Sequence, residues 1–364
     1  MPFLMAFHYA DKYKLTYQTF PMSKLQQVKQ RAYYLDNICC ILIIHLIYTG
    51  HIANSCGNDE PRVISWVCQT LSFVMSWFFF KGGMMHKETS TRKLIEKSTQ
   101  RLLVPFVIFL FLGLLLDGAV LLVDNPERLN AFQFLRNEFD TFVTTTILWP
   151  TAAIWFLLAL FVARIGFNAL FHRIHPLLIS LFFSCTAYLI YLSIEYEWTV
   201  DVCSILSLPP FYLGTMCHGL SLYSLGYYLK EKQFSTPLFV VSLLLFILKF
   251  LIPASIDFRA NEPSGANYML AVLYGMSGCI VINNIFRKYL NFKIPCASYI
   301  GVNSMTYYLV HFPVLVVSRT MLGKTYLGDD FWLRFVILSV VVTISLVIAD
   351  CLFRNQKLRF MIGG

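Results

Sequence analysis

The sequence predicts an all-α, polytopic membrane bundle of about ten transmembrane helices with both termini cytoplasmic. Three observations carry this. Of 364 residues, 57% are hydrophobic and 13% charged, roughly half the charge of an ordinary soluble domain. The apolar residues fall in blocks of about 20, the length a helix needs to cross a hydrocarbon core. The basic residues crowd into alternate segments between those blocks. This pattern excludes a disordered chain, a secreted disulfide scaffold and a cytosolic enzyme. Segments of about ten residues with period-two alternation, which an outer-membrane barrel requires, are missing.

Residues 1–34 are polar and charged and form a cytoplasmic segment without the apolar core of a cleavable signal peptide, so the first span, 35–54, is expected to do the targeting. Span 63–85 closes on Phe78-Phe79-Phe80 before Lys81. The basic stretch 81–101 leads into span 102–123, uniformly apolar from Leu102 to Val123. Spans 147–171 and 176–194 follow. Span 203–229 is interrupted by Pro209, Pro210, Gly214 and Gly219, which predicts irregular backbone, a feature lipid tolerates only where protein or a cavity surrounds it. Span 236–254 holds Lys249, expected to snorkel towards a headgroup. Spans 266–286, 297–321 and 331–353 complete a membrane domain of residues 35–353. Residues 354–364 remain as a cytoplasmic tail.

With ten spans both termini share one side, which gathers 21 of the 29 Lys and Arg residues; seven lie opposite, and Lys249 sits within a span. The positive-inside rule places the basic side in the cytoplasm. Acidic residues such as Asp59, Glu60, Glu195 and Asp257 collect on the other. The net charge of +9 is juxtamembrane and meets anionic lipid, so membrane lipid and no nucleic acid is the expected partner. The ten cysteines include no CxxC pair, and neither a zinc nor a redox motif is implied. Cys56 and Cys203 both fall near the outer face, where a disulfide is chemically permitted.

Ionisable groups at membrane depth are costly and mark functional sites by default. Span one offers Asp36, His45 and His51; later spans offer His218, Lys249, His311 and Asp350. Structural roles compete with functional ones at each. Lys97 and Arg101 serve equally as positive-inside anchors, His218 and His311 as rings bonded to backbone carbonyls, and Asp350 as the i, i+4 partner of Arg354. On an ideal α-helix Asp36 and His51 lie roughly 22 Å apart along the axis and within about 60° of one face. His45 points about 120° away from His51, near mid-membrane. One helix thus offers a carboxylate at one end and imidazoles deeper in, and a neutral imidazole can take a proton from a hydroxyl nucleophile.

Several fragments recur in a familiar order: Tyr34-Leu35-Asp36-Asn37-Ile38 with Tyr48-Thr49-Gly50-His51, Phe78-Phe79-Phe80-Lys81-Gly82-Gly83, Arg101-Leu102-Leu103-Val104-Pro105, Ile154-Trp155-Phe156-Leu157, Ser224-Leu225-Gly226-Tyr227, and Ser304-Met305-Thr306-Tyr307-Tyr308-Leu309-Val310-His311. In these the chain, from about residue 31 to 320, resembles the membrane-bound acyltransferase type 3 family, whose bacterial members O-acylate cell-surface glycans. The resemblance implies transfer of an acyl group, usually acetyl from acetyl-CoA, to a sugar hydroxyl in the bacterial inner membrane. Acyl-CoA would be a co-substrate rather than a bound cofactor. The acceptor would be a glycan or small saccharide, with polysaccharide-assembly proteins as further partners.

The resemblance makes His51 the closest match to the catalytic residue, with His45 as the alternative and Asp36 supporting a basic neighbour. It assigns substrate binding to Lys81, Lys97, Arg101, Trp155 and His311, the cations meeting donor phosphates. The chain departs from the family pattern at four places. Cys39 stands where a basic residue usually follows the span-one Asp, and the spacing to His51 is one residue longer than usual. Lys81 stands where the family has Ser. Ser98 occupies the first position of the basic pair, with Lys97 displaced by one. Two other classes share the hydropathy pattern: a transporter or flippase of a glycan or small polar solute, and a non-catalytic acyltransferase homologue.

Overall fold

The computed structural model describes residues 32–57, 61–124, 130–145, 149–195, 210–257, 262–265, 267–323 and 330–363. The expected Cys56–Cys203 proximity and the Pro209 break lie outside these residues. Within them the chain is a helical, multi-pass membrane protein. Seven helices are long and apolar enough to cross a bilayer, and a bent pair brings the number to eight.

The helices follow the apolar blocks. α1 (Tyr33–His45) continues through a π-helical turn, Leu46–Ile52. α2 (Arg62–Thr70) and α3 (Val74–Met84) form one span with an irregular turn between them. α4 (Thr91–Ser98) passes through a second π-helical turn, Thr99–Leu103, into α5 (Val104–Asp124). α6 (Ala131–Thr145), α7 (Trp155–Leu170) and α8 (Pro176–Glu195) come next. α9 (Pro210–Leu229) and α10 (Thr236–Leu248) occupy the positions of the predicted sixth and seventh spans. An antiparallel hairpin, β1 (Ala254–Asp257) and β2 (Glu262–Gly265), pairs Ala254 with Gly265 and leads into α11 (Tyr268–Tyr289). α12 (Pro295–Val302) and α13 (Ser304–Gly323) are the pair bent by 71° at Asn303. α14 (Phe331–Phe353) and the short α15 (Gln356–Arg359) end the chain. Caps agree with the boundaries: Asn267 accepts from the Met269 N–H and Asp330 from that of Leu333, each satisfying an orphan donor of the first turn.

α9 stands at the centre, packed on α3, α7 and α8. The prolines and glycines of this span suggested a broken helix, yet α9 is continuous from Pro210 to Leu229. Gly219, one of the expected breaks, instead leaves room for the Phe79 ring, and two other glycines let backbones touch. A Cβ at Gly83 of α3 would fall on the Tyr223 carbonyl of α9, and one at Gly226 on the Phe80 carbonyl of α3. Such small-residue crossings drive helix association where lipid removes the hydrophobic driving force.

Lys249 does not snorkel. It is 1% exposed, and its Nζ donates to the Thr70 carbonyl (3.3 Å) and Ser72 Oγ (2.8 Å). The irregular turn between α2 and α3 leaves helix-end carbonyls without intrahelical donors, and the buried ammonium fills that need. His218 faces the Tyr268 hydroxyl at 3.2 Å. Asp350 and Arg354 pair as expected (3.0 Å). The Asp350 carboxylate also accepts from the Tyr299 hydroxyl (2.5 Å).

Candidate active site

The imidazole of His51 is positioned by the π-helical turn. Its i→i+5 bonding accommodates one residue more than an α-helical turn, and such turns recur at functional sites. The α-helical estimate of which way His51 faces therefore does not hold across Leu46–Ile52. The turn is tied to its neighbours: the Tyr48 hydroxyl meets Thr343 Oγ1 on α14 (2.6 Å), and the Cys68 thiol donates to the Thr49 carbonyl (3.2 Å). The interval from Asp36 to His51 runs through this turn. The one-residue displacement of Lys97 falls beside the other π-helical turn, at Thr99–Leu103.

So placed, the His51 ring lies 5.1 Å from that of His311, with 32° between their planes, and 5.2 Å from the Phe312 ring, edge-on. His311 is 1% exposed. Its Nδ1 lies 2.7 Å from the Tyr308 carbonyl and 3.1 Å from that of Tyr307. A carbonyl only accepts, so the neutral ring carries its proton on Nδ1 and its lone pair on Nε2. That Nε2 is buried without a hydrogen-bond partner.

An aromatic wall backs the pair. The Tyr308 ring is 5.9 Å from His311 and 5.5 Å from Phe156. Phe156 also touches Phe79 (5.1 Å) and Phe78 (5.9 Å). The Tyr308 hydroxyl donates to the Ala153 carbonyl, fixing the start of α7 against α13. Trp155, half-buried, belongs to this wall through its neighbour Phe156, 6.1 Å away. Sequence reading missed Phe156 and Tyr308 as contacts because neither carries a group that ionises near neutral pH to mark it among the many aromatics.

The remaining predicted residues stand elsewhere. His45 is 8% exposed; its Nδ1 bonds Thr49 Oγ1, which donates to the His45 carbonyl (2.8 Å), so this imidazole is tied to its own helix. Asp36 lies in the first turn of α1, where α12 crosses so closely that a Cβ at Gly301 would overlap the Asp36 carbonyl. Lys81 holds its ammonium 5.1 Å from the centre of the Trp77 ring, a cation–π contact within α3. Lys97 and Arg101 are exposed, four residues apart, at the start of the third span. The backbone of Gly363, in a left-handed conformation (φ 78°), lies against the Arg101 carbonyl. The C-terminal tail thus packs on the basic end of the bundle; the sequence placed it on that side but did not indicate the contact.

That end also holds His86, just past α3. Its Nδ1 is 2.9 Å from the Tyr223 hydroxyl, and Phe167, Phe171 and Tyr227 surround the ring at 5.0–5.8 Å. Burial, with Arg164 adding to it, pushes the His86 pKa down from 6.5 to about 4. At the other end of α5, burial and a hydrogen bond from Asp117 raise the Glu138 carboxyl of α6 to about 7. Among the described residues no group of three His, Cys, Asp or Glu side chains is arranged to hold a metal ion.

Fold and site together define a multi-pass helical membrane protein with an imidazole pair, His311 buried and His51 half-buried, set against an aromatic wall. Residues 33–351 match the family model described as an acyltransferase domain, and the chain belongs to this acyltransferase type 3 family. No curated protein matches it, and neither does any solved structure.

Proposed function

We propose that this protein is an integral membrane O-acyltransferase that moves an acetyl group from acetyl-CoA to a hydroxyl of a cell-surface glycan or related saccharide, in a bacterial inner membrane. The observation that carries the reading is the His51 imidazole, set beside His311 within a chain that matches the acyltransferase family over 33–351. Both termini face the cytoplasm. The donor enters at the basic end, with its phosphates near Lys97 and Arg101, and Lys81 adds charge as it leaves the Trp77 face. Lys97 and Arg101 are both exposed within one turn of each other, which suits a polyphosphate.

The pantetheine arm runs into the bundle towards His51. One His51 nitrogen takes the proton of the acceptor hydroxyl as its oxygen attacks the thioester carbonyl carbon. The carbon–sulfur bond breaks, and the departing thiolate receives that proton from His51. A positioned base of this kind contributes about 10²–10⁴-fold. His45, bonded within its own turn, is the weaker candidate.

The test is binding and turnover of radiolabelled acetyl-CoA by purified wild type, His51→Ala and Arg101→Ala. Donor binding weakened in Arg101→Ala, with acyl transfer lost by at least about 10²-fold in a correctly inserted His51→Ala, is the expected result. Undiminished transfer in His51→Ala removes the proposed base.

A further inference from the structure

We propose that His311 is a positioning residue for His51: its Nε2 accepts a hydrogen bond from one ring N–H of His51 and so fixes which His51 nitrogen keeps a lone pair for the reacting hydroxyl. This rests on the reading of His51 as the base.

Three observations converge. The His311 tautomer is set by the Tyr307 and Tyr308 carbonyls, which claim Nδ1–H and leave Nε2 as an acceptor. That acceptor is buried and lacks a hydrogen-bond partner, an arrangement native structures rarely leave without a use. The imidazole beside it is His51, 5.1 Å away centre to centre, nearer than the Tyr308 and Phe312 rings. A ring nitrogen sits about 1.1 Å from the centre of its imidazole, so two rings joined in line by an N–H···N bond of about 2.9 Å have centres roughly 5 Å apart. The observed separation equals that value, so such a bond fits between the two rings once donor and lone pair are turned into line.

Substrate binding, which the sequence assigned to His311, suits the ring less well. At 1% exposure it reaches the reaction through His51. Phe312 and Tyr308 close its other sides at 6.0 and 5.9 Å. During transfer the positive charge appears on His51. The His51 N–H already on the His311 lone pair stays there, the proton taken from the hydroxyl sits on the other His51 nitrogen, and His311 Nδ1–H remains on its two carbonyls. That other proton passes to the departing thiolate while the His51–His311 bond persists, so His311 gains and loses nothing over the cycle. Neutral His311 does what a buried carboxylate does elsewhere for a catalytic imidazole, without placing a second charge in the membrane interior.

The experiment is ¹⁵N NMR of the histidine rings in protein held in nanodiscs, alongside steady-state kinetics, for wild type, His311→Ala and His311→Gln. Gln retains an acceptor near the Nε2 position. In wild type, His51 should show a single tautomer and His311 a hydrogen-bonded Nε2. In His311→Ala the His51 tautomers should mix and kcat should fall by about 10–10²-fold, with KM for donor and acceptor within about twofold. In His311→Gln most of kcat and the single tautomer should return. A free Nε2 shift in wild type overturns the proposal whether or not a variant folds. Unchanged His51 shifts in His311→Ala, or a rise in acceptor KM at constant kcat, overturns it equally. If wild type transfers no acyl group from any thioester, the functional reading fails, while the NMR still decides the pairing.

Discussion

His51, His45 and His86 have the same side chain, yet neighbours give each a different chemistry. Thr49 holds His45 within its own turn, His311 stands against His51, and an aromatic box encloses His86. His86 makes a prediction about stability. In the unfolded chain its ring protonates below about 6.5, whereas in the folded protein it does so only below about 4. The unfolded state therefore binds more protons between those values, so the stability present at neutral pH is lost as pH falls from 6.5 towards 4. His86→Gln should flatten this part of the curve, as read by thermal unfolding in detergent across pH 4–7. An unchanged acid slope would show that other groups govern it.

At the scale of elements, the Phe78–Gly83 and Ser224–Tyr227 motifs are two sides of one crossing. α3 and α9 meet backbone to backbone, and the crossing holds Phe79 against Phe156 and so supports the wall behind the imidazoles. Gly83→Ala or Gly226→Ala must separate the helices. The expected cost is at least the 1–3 kcal/mol or so of ordinary overpacking, seen as reduced yield and melting temperature with lowered activity. Gly118→Ala is the control: its Cβ would meet Phe134 at an ordinary 3.6 Å and should change little. Equal behaviour of the three variants would remove the crossing from the account. The π-helical turns act at the same scale. Each holds one residue more than an α-helical turn, a difference that on an α-helix would swing later side chains by about 100°.

For the whole molecule, the charge asymmetry and the fold make a joint statement. Lys81, Arg101, Arg354 and the Phe360–Gly363 tail gather at one end, and the β1–β2 hairpin lies at the opposite end of its helices. The proposed orientation puts the basic end in the cytoplasm. In a bacterial host, green fluorescent protein fused after Gly363 should fluoresce, and the same protein inserted between β1 and β2 should not. The reverse pattern would invert the membrane orientation and move the donor site to the wrong side for acyl-CoA.

Apolar block length determined on its own that this is a helical membrane protein, because crossing a hydrocarbon core demands a long apolar helix whatever its neighbours. Motif order likewise led to the acyltransferase family and singled out His51 and His311 separately. Where the sequence reading failed, the outcome depended on contacts between distant segments. Lys249 seemed bound for a headgroup until the α2–α3 turn, some 180 positions earlier, supplied its acceptors. Gly219 of α9 looked like a break and is a contact point for the Phe79 ring. His51 and His311 stand 260 positions apart, and only the packing of α13 against the π-helical turn brings their rings together. Local hydropathy is set by each residue alone, whereas a hydrogen-bond partner or a helix crossing exists only once two segments meet, and that the tertiary structure decided.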